Sequence, residues 1–149
     1  MPRRILQRSQ AVNDPTIIWN TFIDLISSYP EALDPEQRPA HFVLTYDSEV
    51  QNGGHLQYFF NHRNHYLQET LSALTLLGAE DQRIVLEAAT LLFDSRPRKR
   101  PSTPQEYSAV AMQGEFESFD KRYCDCAPSL GELLGKHLAE HADTFIKLV

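Results

Sequence analysis

Apolar positions recur at helical spacing along nearly the whole chain, broken by proline, glycine and short charged runs. Ile18, Phe22, Leu25, Ile26 and Tyr29 fall at offsets of 4, 7, 8 and 11, a stripe that faces a core. Asp14 and Pro15 suit the cap and first turn of this helix, and Pro30 ends it. After a proline-containing connection, Phe42, Val43, Tyr46 and Val50 mark a second helix starting near Pro39. A short aromatic helix follows to about Asn61, and a link is expected at His62 to Asn64. Leu67, Thr70, Leu71, Leu74 and Leu77 predict a helix closed by Gly78, a residue suited to a left-handed cap. Val85, Ala88, Ala89 and Leu92 predict another from Glu80 to Phe93.

The run Ser95 to Thr103 carries four basic residues and two prolines, which predicts an exposed loop. Thr103, Pro104 and Glu106 then supply a threonine cap, a first-turn proline and a capping-box glutamate. Tyr107, Val110, Ala111, Met112, Phe116, Phe119 and Tyr123 continue the amphipathic pattern, with Gly114 as a bend or close-packing point. Leu130, Leu133, Leu134, Leu138, Phe145 and Leu148 mark the last helix, with a break expected near His141. The reading is an all-α, single compact domain of six to eight helices over residues 14–149, preceded by a flexible basic arm over residues 1–13. The chain has no internal repeat and no low-complexity tract.

One stretch departs from generic amphipathic pattern. Asn52-Gly53-Gly54 separates two helix-like patterns, and glycine reaches left-handed backbone conformations at little steric cost, so the chain is expected to turn a tight helix-Gly-Gly-helix corner. Beyond it, Leu56, Tyr58, Phe59 and Phe60 leave almost no polar face, which predicts burial on most sides. Gln57 and Asn61 are four apart and share a face, while Glu49 and Asn52 approach from the preceding helix and corner. These four residues are expected to form a buried structural polar network fixing how the helices meet.

The run Glu49-Val50-Gln51-Asn52-Gly53-Gly54-His55-Leu56-Gln57-Tyr58-Phe59-Phe60-Asn61 resembles the signature of a bacterial family of unknown function named for a DNA-mimic protein. The resemblance extends roughly from Trp19 to Phe145, and only this run is specific. Gln51 stands where that signature usually has a second asparagine. The resemblance implies an all-helical fold and a protein whose acidic surface occupies the DNA-binding face of a basic partner such as a transcription factor, with a homodimer as one form of the assembly.

Net charge is −6, which disfavours nonspecific nucleic-acid binding. The charge is uneven: residues 31–94 hold ten acidic and three basic side chains, whereas residues 95–100 carry a net of +4. Glu80, Glu87 and Asp94 recur at sevens, about 10.5 Å apart at the helical rise. Duplex DNA presents a charge about every 1.7 Å of axis, so one row is too sparse to imitate it. Further rows are needed. Glu106, Glu117 and Asp120, together with Asp81 beside Glu80, complete the candidate partner-binding surface.

No phosphate-cradling glycine loop, helical His-Glu-x-x-His motif or nucleophile-elbow serine is present, and the chain is read as noncatalytic with no cofactor. Two alternatives stay open. His137 with His141, four apart, and His62 with His65 provide spacing for a metal-dependent enzyme, with Cys124 and Cys126 as soft neighbours. Arg96, Arg98, Lys99 and Arg100 provide a basic loop for direct nucleic-acid binding. The two cysteines are separated by one residue, poorly suited to a disulfide, and the N-terminus lacks the apolar block of a signal peptide. The expectation is a cytoplasmic protein with no membrane partner.

Overall fold

The computed structural model describes residues 1–62 and 65–149; Arg63 and Asn64, from the link expected after the aromatic helix, lie outside the described residues. Among these, nine helical segments run in order: α1 (Arg8–Asn13), α2 (Thr16–Ile26), α3 (Arg38–His62), α4 (Leu67–Leu76), α5 (Glu80–Phe93), α6 (Pro104–Ala111), α7 (Glu117–Asp125), α8 (Leu130–Glu140) and α9 (Ala142–Phe145). A short 3-10 turn, Pro30–Ala32, follows α2. Two strands, β1 (Arg4–Leu6) and β2 (Ile146–Leu148), pair in parallel, with Arg4 opposite Ile146. The fold is all-α, as its hydrophobic period predicts.

Helix α3 is the centre of the molecule and packs on α2, α4, α7 and α8. Its predicted stripe of Phe42, Val43, Tyr46 and Val50 is buried, and Leu56, Tyr58 and Phe59 bury on the far side of the glycines. Leu130, Leu133, Leu134 and Leu138 close the core from α8, with Phe22, Leu25 and Ile26 from α2. Phe22 meets Phe145 edge to face at 4.8 Å, which joins the first long helix to the end of the chain.

Several apolar positions lie elsewhere than their spacing implied. Tyr29 is 82% exposed, because α2 ends at Ile26 and the chain turns before that residue can face the core. On α5 the buried face comprises Gln82, Val85, Leu86, Ala89 and Phe93, rotated from the expected one, and Ala88 and Leu92 are only half-buried. Gln82 is satisfied there, donating to the Pro128 carbonyl at 2.7 Å. The expected continuation through Met112 divides at Gly114, whose φ is +67°, and Met112 is left 87% exposed. The first thirteen residues, expected as a loose arm, hold β1 and α1, and Leu6 is buried. The strand pairing supplies the backbone partners that local sequence could not advertise. No helix among the described residues is long and apolar enough to cross a membrane.

Candidate functional site

The glycine corner is the most elaborated place in the structure. Gly53 and Gly54 interrupt α3 with non-helical backbone, and Gly54 adopts φ 73°. This left-handed conformation admits glycine without the Cβ penalty that other residues meet. A Cβ on Gly54 would also lie 2.4 Å from Oδ2 of Asp120, so the missing side chain makes room for a carboxylate. Asp120 Oδ1 accepts the backbone N–H of His55 at 2.8 Å and lies 2.7 Å from its Nδ1.

A carboxylate oxygen accepts, so Nδ1 carries the imidazole proton and Nε2 is left to accept the Tyr46 hydroxyl at 2.7 Å. Burial pushes that hydroxyl well above the usual tyrosine range, which keeps it a donor. Tyr46, His55 and Asp120 thus have the order of a proton relay. Tyr46 and His55 are both 0% exposed, and this chain of contacts ties the corner to α7 through Asp120. A second tie runs alongside, from the Tyr123 hydroxyl to Asp47 on α3. Burial first, and then the Asp47 carboxylate, raises the Tyr123 hydroxyl far above its ordinary value.

Around the corner's outer side the structure brings together Glu49, Asn52, Gln57 and Asn61. Asn52 donates to Gln57 Oε1 at 3.1 Å; Gln57 and Asn61 donate to Glu49 Oε2 at 3.2 and 2.7 Å. His62 Nε2 lies 3.5 Å from the other oxygen of Glu49. The network is not buried as expected: Asn52 and Asn61 are exposed and Glu49 and Gln57 half-buried, since this face of α3 turns to solvent. His55, carried in the same run but assigned no role from sequence, takes the interior position instead.

The acidic candidates are distributed between internal and external roles. Glu80 and Glu87 both bind Arg83 along the exposed face of α5. Glu106 accepts from the backbone and hydroxyl of Ser102, at 2.7 and 2.9 Å, one residue before the Thr103 cap of α6, so the expected capping box is not formed; Thr103 caps the helix by accepting the Glu106 N–H at 3.1 Å. Those contacts hold its carboxyl below the usual range. Asp120 is committed to His55. Asp81, Asp94 and Glu117 are exposed and carry no ion pair among the described residues.

Sequence reasoning missed Glu115. It takes both Nη atoms of Arg98 at 2.7 Å and Arg96 at 2.8 Å, and these contacts lower its carboxyl to about 2. The Arg98 side chain is only 7% exposed. It also donates to the carbonyls of Leu92 and Phe93, and its guanidinium lies 5.0 Å from the Phe93 ring and 5.4 Å from that of Phe116. The loop read as exposed and basic is therefore folded back through this arginine, and Lys99 and Arg100 remain outside. No local signal marks Glu115, which is seventeen residues from Arg98.

Among the described residues, neither histidine pair gathers a third ligand. The rings of His137 and His141 are 4.6 Å apart, and among the described residues no three His, Cys, Asp or Glu side chains converge as ligands. Burial and the neighbouring His141 depress His137. Cys124 and Cys126 are free thiols. His62 and His65 instead line an aromatic cleft between the end of α2 and α3, with a volume of about 330 Å³.

The chain matches no curated protein and no solved structure. A family described as DMP19-like protein matches residues 31–141, a span that includes the glycine corner, its network and Asp120, and the chain belongs to that family.

Proposed function

We propose that this is a noncatalytic interaction protein whose acidic helical surface occupies the DNA-binding face of a basic protein, such as a transcription factor. The observation that carries this reading is the pairing of Arg96 and Arg98 with Glu115, which draws one arginine of the basic loop, Arg98 at 7% exposure, away from the surface and leaves that cluster a net charge of +1. The same contact weakens the alternative of direct nucleic-acid binding through residues 96–100, because Arg98 is no longer available to a phosphate. Of the candidate carboxylates, Asp81, Asp94 and Glu117 are exposed and carry no ion pair among the described residues, and they meet a partner's lysines and arginines. Glu80 and Glu87 contribute around Arg83, whereas Glu106 and Asp120 act chiefly on the fold.

Membership in the DMP19-like family agrees with this reading, and the reading fits a net charge of −6. One carboxylate row remains too sparse for a phosphate backbone, so the mimicking surface combines α5 with α7, which pack on each other. The test is capture of basic DNA-binding proteins by the immobilised full chain, followed by elution with salt and, separately, with duplex DNA. A partner held on its DNA-binding face is released by both. The combined D81N, D94N and E117Q variant should capture several-fold less. Capture that survives salt and competing duplex, or is unchanged in that variant, overturns the proposal.

A further inference from the structure

The aromatic cleft beside the signature network is not used by the acidic surface just described. Its floor and walls include Phe42, Tyr58 and Tyr66, with Glu31 at one side. A volume of about 330 Å³ is in the range of pockets that take a small ligand or one long side chain. Tyr66 stands at the N-terminal cap of α4, where its carbonyl accepts the Thr70 N–H at 2.9 Å. It is the one non-glycine residue with positive φ among the described residues, at 62°, a conformation that costs about 1 kcal/mol or more. That backbone places its ring 5.1 Å from Phe42 and 4.1 Å from His65, on which it stacks, and delivers its hydroxyl to the Glu31 carboxylate.

Among the described residues, the formal charge lining the cleft is the Glu31 carboxylate, set beside three histidines. The last turn of α2 contains no basic residue, and Ser27 and Ser28 at its carbonyl end line the space, so the negative end of that helix faces it. His41 Nδ1 lies 2.7 Å from the Ile26 carbonyl; it must donate there, which leaves Nε2 as an acceptor near Thr45. Glu31 supplies a carboxylate, and Glu49 stands behind His62. No lysine or arginine lines the cleft among the described residues. Arg38, close enough to act on Glu31, is committed to the carbonyls of Pro30 and Leu33 at 3.0 and 3.1 Å. Flat ring faces, a carboxylate and carbonyl-end charge together suit a planar, delocalised cation.

We infer that this cleft receives the guanidinium of one arginine side chain from the basic protein partner. The inference rests on the proposed function and adds to it a specific anchor: the acidic surface supplies attraction at a distance, and the cleft selects an arginine in a fixed place. Tyr66 and Phe42 give the guanidinium a face to stack on, Glu31 pairs with it, and His41 accepts one of its N–H groups.

The experiment is an amide chemical-shift titration of the full chain with N-acetyl-arginine methylamide and, in parallel, with its uncharged isostere N-acetyl-citrulline methylamide. The expected result is saturable shifts at Glu31, Thr45 and Tyr66 with the arginine probe, and binding about tenfold weaker for citrulline. In Glu31→Gln the arginine affinity should fall several-fold, with the spectrum elsewhere unchanged. No saturable response, or an equal response to citrulline, overturns the pocket. A chain that captures basic proteins reversibly but ignores the arginine probe removes the pocket and leaves the acidic-surface reading standing. A chain that binds the probe at these residues but captures no basic protein supports the pocket and refutes that reading.

Discussion

Asp120 holds His55 twice, through the backbone N–H at 2.8 Å and the ring Nδ1 at 2.7 Å, across 65 residues of sequence. A single carboxylate on α7 therefore fixes both the path of the chain after the glycines and the orientation of a fully buried imidazole. Gly54 makes the approach feasible, since any side chain there would occupy the space of the carboxylate.

Two substitutions separate these contributions. Asp120→Ala leaves the His55 N–H and Nδ1 without their partner; the carboxylate is 36% exposed, so water reaches the vacated space and the cost should be about 2 kcal/mol. Gly54→Ala combines positive-φ strain with the clash on Asp120 and should cost at least about 2 kcal/mol. In the double variant the clash has no carboxylate to meet, so its cost should be less than the sum of the singles. Urea denaturation of the four proteins measures this, and strict additivity would show that Gly54 and Asp120 do not interact.

Glu115 sets a stability change in acid. Its folded-state carboxyl is depressed from about 4.5 to about 2 by the Arg98 contact first. A depressed carboxyl contributes stability that is fully present above its unfolded value and is lost as pH falls toward the folded one. The contribution from Glu115 should therefore fade between about pH 4.5 and pH 2, and Glu115→Gln should flatten that part of the stability profile. At neutral pH, Glu115→Ala should cost about 2 kcal/mol, because Arg98 at 7% exposure loses its carboxylate and keeps only the Leu92 and Phe93 carbonyls. Denaturation midpoints measured from pH 2 to 7 test both statements.

Much of the helical core was legible because burial follows the 3.6-residue period that sequence displays: Phe42, Val43 and Tyr46 on α3 and Leu130, Leu133 and Leu134 on α8 follow directly from spacing. The corner was legible because two adjacent glycines between apolar runs have few other uses. The roles of Asp120 and Glu115 were not, since each is defined by a partner distant in sequence and an acidic residue on an amphipathic helix reads by default as solvent-facing. The β1–β2 pairing was hidden for a related reason: three-residue strands are too short to show alternation, and the partners sit at opposite ends of the chain. Arg98 shows the converse error, in which a charge-rich run reads as exposed although one member is drawn inward by a carboxylate and two aromatic faces.

The half-exposed location of the Glu49 network limits what it contributes to folding. Asn61→Ala removes one 2.7 Å hydrogen bond to a carboxylate that retains Gln57 and water, so its cost should be no more than about 1 kcal/mol. A loss well above that, read from the urea midpoint, would mean that the network braces the corner more strongly than its exposure allows.

Two tyrosines give opposite expectations for the same chemical change. The Tyr46 hydroxyl donates to His55, so Tyr46→Phe leaves Nε2 of a 0% exposed imidazole without its partner and should cost about 2 kcal/mol. The Tyr107 hydroxyl is enclosed and has no hydrogen-bond partner among the described residues. Burial first, and then the charges of Glu49 and Asp120, raises it above the ordinary tyrosine value, so it stays neutral and contributes no compensating ionic contact. Tyr107→Phe removes a desolvated group while keeping the ring that packs at 6.3 Å from Phe60. Stability should then be unchanged or raised by up to about 1 kcal/mol. Paired denaturation curves decide the matter: a Tyr107→Phe loss equal to that of Tyr46→Phe would mean that the Tyr107 hydroxyl is satisfied in solution.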